Sequence, residues 1–225
     1  MTFRKPELIP LLFIICAVAL LAGLGVWQVE RLQWKNGQLA KITNAQKEAA
    51  LGTLPQTLEG LEYRNVALTG TFLNDKSFHL IGHIQDEGAG FFIVTPFMLD
   101  DDGRIILVNR GFSPAGKEGA PEGIQTVKGI IRPARQKRYF SPDNNPQKNV
   151  WFYEDFAAMS HTANINLTPL IVEATGQRER GAYPIPSDGQ VSLRNDHLQY
   201  AITWFSLAII GVVMFGFYYR EKKHG

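Results

Sequence analysis

From Ala201 to Tyr219 the chain has no Asp, Glu, Lys or Arg, and this run starts directly out of a polar cluster, Asn195-Asp196-His197-Leu198-Gln199. About 20 apolar residues in a row are enough to cross a bilayer as a helix. A second charge-free run, Leu8 to Val29, stands near the other end. Two such runs fix the plan expected of the chain. It is a membrane protein with transmembrane helices over 8–29 and 197–219, short tails at 1–7 and 220–225, and a folded unit over 30–196. The mean hydropathy of −0.10 conceals this, because it averages two very apolar ends with a polar middle.

The first run competes between a cleaved signal peptide and an uncleaved anchor. Ala17-Val18-Ala19 resembles a peptidase site, but the apolar stretch continues through Leu20-Leu21-Ala22-Gly23-Leu24-Gly25-Val26-Trp27, which favours the anchor. Ala19 and Gly23, four apart, offer a small-residue flank against which another helix could pack. Beyond the apolar part, Trp27, Arg31 and Trp34 share a helical face with Gln28 and Lys35 alongside, and Asn36-Gly37 is a place where the helix would loosen. Both tails are basic, with Arg4 and Lys5 at one end and Arg220, Lys222 and Lys223 at the other. Short basic segments stay cytoplasmic, whereas a loop of about 170 residues can cross whatever its charge. Both termini are therefore expected inside and the middle unit outside the cytoplasm, although Arg31, Lys35 and Arg194 oppose that signal. The lack of a presequence before the first run points to a bacterial inner membrane with the unit in the periplasm.

The middle has short runs rich in Val, Ile, Phe and Thr: Tyr63 to Phe72, Ser77 to Ile84, Phe91 to Leu99, Arg104 to Phe112 and Gln125 to Ile131. Turn residues separate them, notably Asp100-Asp101-Asp102-Gly103. A short helix is expected over Asp155 to His161 and a last strand over Leu167 to Ala174. The fold class is a β-rich α+β unit, an antiparallel sheet or small barrel, flanked by the two spans.

Chemistry is sparse in the sequence. The lone cysteine, Cys16, lies in the apolar run and excludes an internal disulfide or a paired-thiol metal site. There is no Gly-rich phosphate loop, GxSxG or HExxH motif, so the chain does not read as an enzyme. His79 and His83 share a strand face without a neighbouring third ligand, a poor metal site. The basic group Arg132, Arg135, Lys137 and Arg138 suits a solvated or lipid-facing loop, or an acidic partner. A net charge of +2 without a basic stripe gives no reason to expect nucleic acid. The strongest candidate is His197, at the boundary where the second span begins, with Tyr200 and Ala201 one helical turn on and Trp204 two turns on. Two readings stay open from spacing: a nitrogen ligand beside aromatic walls, suited to a flat amphipathic cofactor, or a helix start with an interfacial aromatic belt. Trp27 reads as an interfacial anchor or a cofactor contact, and Arg31 as a head-group anchor or the partner of a carboxylate.

Several blocks, in order, resemble a known family. They are Gly25-Val26-Trp27-Gln28 with Arg31, Trp34 and Lys35; Tyr63-Arg64 with Gly70 and Phe72; Thr95-Pro96-Phe97; Val108-Asn109-Arg110-Gly111; and Asn195 through Trp204. Over almost its full length the chain resembles the surfeit locus protein 1 family of assembly factors for haem-copper cytochrome oxidase, with Phe112 where that family often has Trp. The resemblance implies a non-catalytic factor that binds haem A and assists its insertion into subunit I of an aa3-type oxidase. His197 would be the ligand of the haem iron, with Tyr200, Trp204 and Trp27 beside it and Arg31 or Arg194 near the propionates. Neutral imidazole is a common axial ligand of haem iron. Subunit I, haem A synthase and the lipid bilayer are the implied partners. The alternative is a scaffold that stabilises apo-subunit I without touching haem.

Overall fold

The computed structural model describes residues 7–84, 88–114, 119–177, 181–190 and 195–220. The chain divides into two compact units, one built from its two ends (through Lys41 and from Ser192) and one over Ile42–Val191.

The first unit consists of α1 (Leu8–Lys47), up to Lys41, and α3 (His197–Tyr218). Both are long and apolar enough to cross a membrane. Pro10 falls in the first turn of α1, where a missing N–H costs no intrahelical bond. The expected loosening at Asn36-Gly37 does not occur: α1 runs unbroken for 40 residues. A single glycine costs a helix only about 1 kcal/mol against Ala, and Gln38-Leu39-Ala40-Lys41 on its far side are good helix formers. The folded unit accordingly starts at Ile42, later than the hydropathy boundary at residue 30. The last turns of α1 are tied into that unit, Gln46 donating to Gly189 O (3.2 Å) and its own carbonyl accepting from Asn65 Nδ2 (2.6 Å).

The second unit carries β1 (Asn65–Phe72), β2 (Phe78–Ile84), β3 (Gly88–Leu99), β4 (Ile105–Pro114), β5 (Ile124–Arg132), the short β6 (Val150–Trp151), α2 (Phe156–Ala163) and β7 (Leu167–Ala174). The sheet order is β1-β5-β7-β4-β3-β2-β6, and β1 also pairs with β3, so five strands close into a small barrel with β2 and β6 as a flap on one side. The closure is made by β3. Its first half, Gly88–Val94, pairs with β2, and its last residues, Phe97–Leu99, pair with β1. Pro96, which has no N–H to give, sits where β3 changes partner on that edge, a position where a sheet tolerates proline.

The antiparallel expectation fails at two pairings. β7 runs parallel to β4 while antiparallel to β5, and β6 runs parallel to β2. A parallel neighbour requires a crossover rather than a hairpin. The chain supplies one in the long segment containing α2, which returns β7 into the gap between β4 and β5.

Two apolar layers lie on opposite faces of this sheet. Inside the barrel are Val66, Leu68, Phe97, Leu99, Ile106, Val108, Val127, Ile131, Leu170 and Val172. On the outer face, Phe78, Leu80, Leu107, Trp151, Leu167 and Ile171 pack with Met159 and Ala163 of α2. Adjacent residues of β4 therefore serve different cores, which is why Ile105-Ile106-Leu107-Val108 is continuously apolar instead of alternating. α2 is bounded by Asp155, whose carboxylate accepts from Ala158 N (3.0 Å), and by Asn164 in a left-handed conformation.

Candidate functional site

The candidate site lies on the helix pair. α1 and α3 run antiparallel along one another, with Asn195 Nδ2 donating to Asn36 Oδ1 (3.0 Å) at one end and Ile14 Cδ1 3.5 Å from where a Cβ on Gly211 would be at the other. Between these, a Cβ on Gly25 would lie 2.7 Å from the Phe205 ring, so the close approach depends on a bare backbone there. Gly25, Ala201 and Ala208 are all buried. Of the packing flank expected at Ala19 and Gly23, Gly23 is not used: it is exposed with nothing near its Cβ position. Gly25 lies two residues further on, on the side that faces α3.

His197 is the first residue of α3. Its Nδ1 is 2.7 Å from Oε1 of Gln28, which is 91% buried on α1 (9% exposed). With the amide oxygen accepting, Nδ1 carries the proton and Nε2 keeps its lone pair. Among the described residues the imidazole has no other hydrogen-bond partner. Asn195 Oδ1, two residues earlier, is buried without a partner among the described residues. The α3 start is not capped by a side chain; Asp196 contributes its carbonyl, accepting from Tyr200 N (3.2 Å).

The other expected site residues divide. Trp204 is half-buried. Tyr200 and Trp27 are exposed, and Ala201, expected to leave room beside His197, is buried. Arg31 lies nearly one turn along α1 from Gln28, its guanidinium stacked 4.0 Å over the Trp34 ring. Arg194 lies outside the described residues. Sequence reasoning placed Gln28 beside the aromatic face but not in the site; the available signal was an amide in an otherwise apolar stretch, Gly23-Leu24-Gly25-Val26-Trp27-Gln28-Val29. A buried amide needs a partner, and His197 is that partner.

In the β-rich unit the Asn109-Arg110-Gly111-Phe112 stretch is structural. Asn109 Oδ1 accepts from Gly111 N (3.0 Å) inside the fold, and Arg110 donates to Gly119 O and lies 5.3 Å over the Phe72 ring. Gly111 has φ +121, with Ile185 O where a Cβ would be; Phe112 and Ile185 exchange backbone bonds of 2.9 and 2.6 Å across that point. His79 stacks on Phe91 at 5.2 Å, the side chain of His83 is outside the described part, and no cluster of three metal-ligating side chains occurs among the described residues.

The class is that of a β-barrel unit set in sequence between two antiparallel apolar helices, which hold a histidine–amide contact. Residues 15–209 match the model of the SURF1 family. The chain is 35% identical over 219 residues to a SURF1-like protein of Monosiga brevicollis, covering 88% of this chain and 83% of the relative. It is 33% identical over 210 residues to human Surfeit locus protein 1 (83% and 69% covered) and 36% identical over 232 residues to a SURF1-like protein of Drosophila melanogaster (91% and 76%). The chain belongs to the SURF1 family.

Proposed function

We propose that this protein is a non-catalytic assembly factor for an aa3-type haem-copper oxidase, which binds haem A as cargo through His197 and assists its insertion into subunit I. The observation that carries the reading is the His197–Gln28 contact. It fixes the imidazole between two helices and leaves Nε2 as the free nitrogen, the donor an axial ligand needs. The donor set suits a porphyrin at a water–lipid boundary: a neutral nitrogen ligand, Tyr200 and Trp204 one and two turns on from it along α3, Trp27 next to Gln28 in the chain, and Arg31 one turn from Gln28 for a propionate. Bound haem would supply a strong absorption band that reports its own ligation.

The same proposal places α1 and α3 across the inner membrane of a bacterial cell, both ends in the cytoplasm and the barrel in the periplasm, supported by the basic tails and the charge-free spans. A reporter active only outside the cytoplasm, inserted at the Asp101-Asp102 hairpin tip, should be active, and one fused after Gly225 silent.

The test of the cargo is the absorption spectrum of protein purified from cells that synthesise haem A. The parent should retain haem, and His197→Ala should lose it or shift its spectrum. A second reading rests on the same contact, because a histidine–glutamine hydrogen bond between apolar helices is also adequate glue for a scaffold. In that case haem is absent from the parent, and His197→Gln supports oxidase assembly as well as the parent does.

A further inference from the structure

The segment between β5 and β6 contains a turn whose composition is wrong for a turn. Ser141 N donates to Arg138 O (3.0 Å), and Arg138 N donates to Ser141 Oγ (3.3 Å), which puts Tyr139 and Phe140 at the two central positions. Those positions ordinarily go to Gly, Asn, Asp, Pro or Ser. The two rings are instead 94% and 92% exposed and meet edge to face, centroids 4.9 Å apart. They add nothing to either core.

The turn is held rather than loose. Lys137 pairs with Asp143 across it. At its base the carboxylate of Glu154 accepts from Arg135 N, the Arg135 guanidinium lies 4.8 Å over Phe92, and Asn144 Oδ1 accepts from Phe152 N (2.8 Å). Of the four basic residues in this stretch, Arg132 is paired with Glu173, Arg135 with Glu154 and Lys137 with Asp143. Arg138, exposed and next to the rings, has no ion-pair partner among the described residues.

We propose that the Arg138–Ser141 turn is a lipid-contacting tip, its two rings entering the headgroup–acyl boundary of an anionic bilayer while Arg138 meets lipid phosphate. Tyrosine is favoured at that depth because one end of its ring is apolar and the other wet, and phenylalanine adds apolar surface for the acyl side. An unpaired guanidinium complements an anionic headgroup surface. The patch is too small for a protein partner: two aromatic side chains offer about 150–250 Å² each, against about 800 Å² per partner in a stable protein interface. The unit is also joined by chain at both ends to helices of membrane-spanning character. This inference rests on the membrane reading of those helices.

The test uses the full chain with Cys16→Ser, carrying a nitroxide at Tyr139→Cys or Phe140→Cys, in vesicles of phosphatidylcholine with or without phosphatidylglycerol. Both positions are so exposed that labelling leaves the fold intact. The ratio of collisions with oxygen to collisions with a water-soluble nickel chelate reads depth. It should be severalfold higher at 139 and 140 than at Asp101→Cys on the hairpin tip, more so with the anionic lipid, and Arg138→Gln should remove that lipid preference. Labels at 139 and 140 that read as wet as 101 in both vesicles overturn the proposal, leaving a protein partner or none. A label at Ile209→Cys in α3 separates the two failures: lipid at 209 with water at 139 and 140 overturns the tip alone, and water at 209 overturns the membrane reading with it.

Discussion

Phe205 of α3 rests on the bare backbone of Gly25 in α1, at a spacing that a single methyl group would violate. About one turn further along α1 and two turns back along α3 lies the His197–Gln28 contact, so the packing of an apolar pair sets the geometry of a polar one. Gly25→Leu should force the helices apart. Overpacking of this kind costs about 1–3 kcal/mol, enough to weaken haem retention about tenfold to a hundredfold. Phe205→Ala in the same chain should restore retention, measured as the haem-to-protein ratio after purification.

Gln28 fixes which nitrogen of His197 carries the proton. Losing the outer partner of a metal-ligating histidine typically costs 10–100-fold in affinity. Gln28→Ala should therefore raise the dissociation constant for haem by about tenfold or more while keeping a histidine-ligated spectrum. Gln28→Glu should make the imidazole a stronger donor and lower the haem reduction potential. An unchanged titration for both variants excludes the contact from haem binding.

Arg31 is presented by its stack on Trp34. A charge-assisted bond from a guanidinium to a carboxylate contributes on the order of 1.5–3 kcal/mol. Arg31→Ala should leave the absorption spectrum unchanged and weaken binding roughly tenfold to a hundredfold. Arg31→Lys should recover part of this, because an ammonium cannot make two parallel bonds. Equal affinity at low salt would make Arg31 a head-group anchor.

Burial pushes the Glu154 carboxyl above the usual glutamate range, with the Arg135 guanidinium and N–H pulling part of the way back. The folded state therefore binds this proton more tightly than the unfolded chain, and stability falls as pH rises from the ordinary glutamate range, about pH 4, up through the raised folded value. Asp102 acts the other way. The Arg104 N–H hydrogen bond holds it below the usual range, with the Arg104 side chain adding to the effect, so its contribution is present above that range and lost on acidification through the lowered value. Glu154→Gln keeps a carbonyl for Arg135 N and should flatten the decline on the neutral side, read as denaturant midpoints across pH. It should leave the acid-side loss in place.

Gly111 is the backbone position at which substitution should cost most. Ala there meets both a positive φ and the Ile185 carbonyl, which lies where its Cβ must go. The expected loss is about 3 kcal/mol or more. It should appear as a lower unfolding temperature of the β-rich unit.

The strands were legible because their period and turns are local. Tyr63 to Phe72 and Leu167 to Ala174 were expected as strands, and β1 and β7 are found at Asn65–Phe72 and Leu167–Ala174. What a list of strands does not carry is the partner of each. The parallel pairing of β7 with β4 depends on a crossover whose direction is not written in either strand. The two-residue β6 is shorter than any periodicity can detect. In the helix pair, His197 stood out by its place at a polarity boundary, whereas Gln28 becomes significant only when another helix brings an imidazole to it. Gly25 was missed for a related reason: Gly23 is as small, and which glycine matters depends on which side of α1 faces α3.

The order of strands in the barrel differs from their order in the chain, and this has a consequence during synthesis. A chain emerging from its N-terminus makes β1 through β5 first, yet the ring they form has a gap between β4 and β5 that only β7 fills. Until Leu167–Ala174 is available, two strand edges stand unpaired and the inner layer lacks Leu170 and Val172. Open edges beside an unfinished apolar layer are what neighbouring chains add to. A chain cut short anywhere between Arg132 and Leu167 should thus be sticky rather than merely unstable, and soluble barrel should appear abruptly once residue 174 is included.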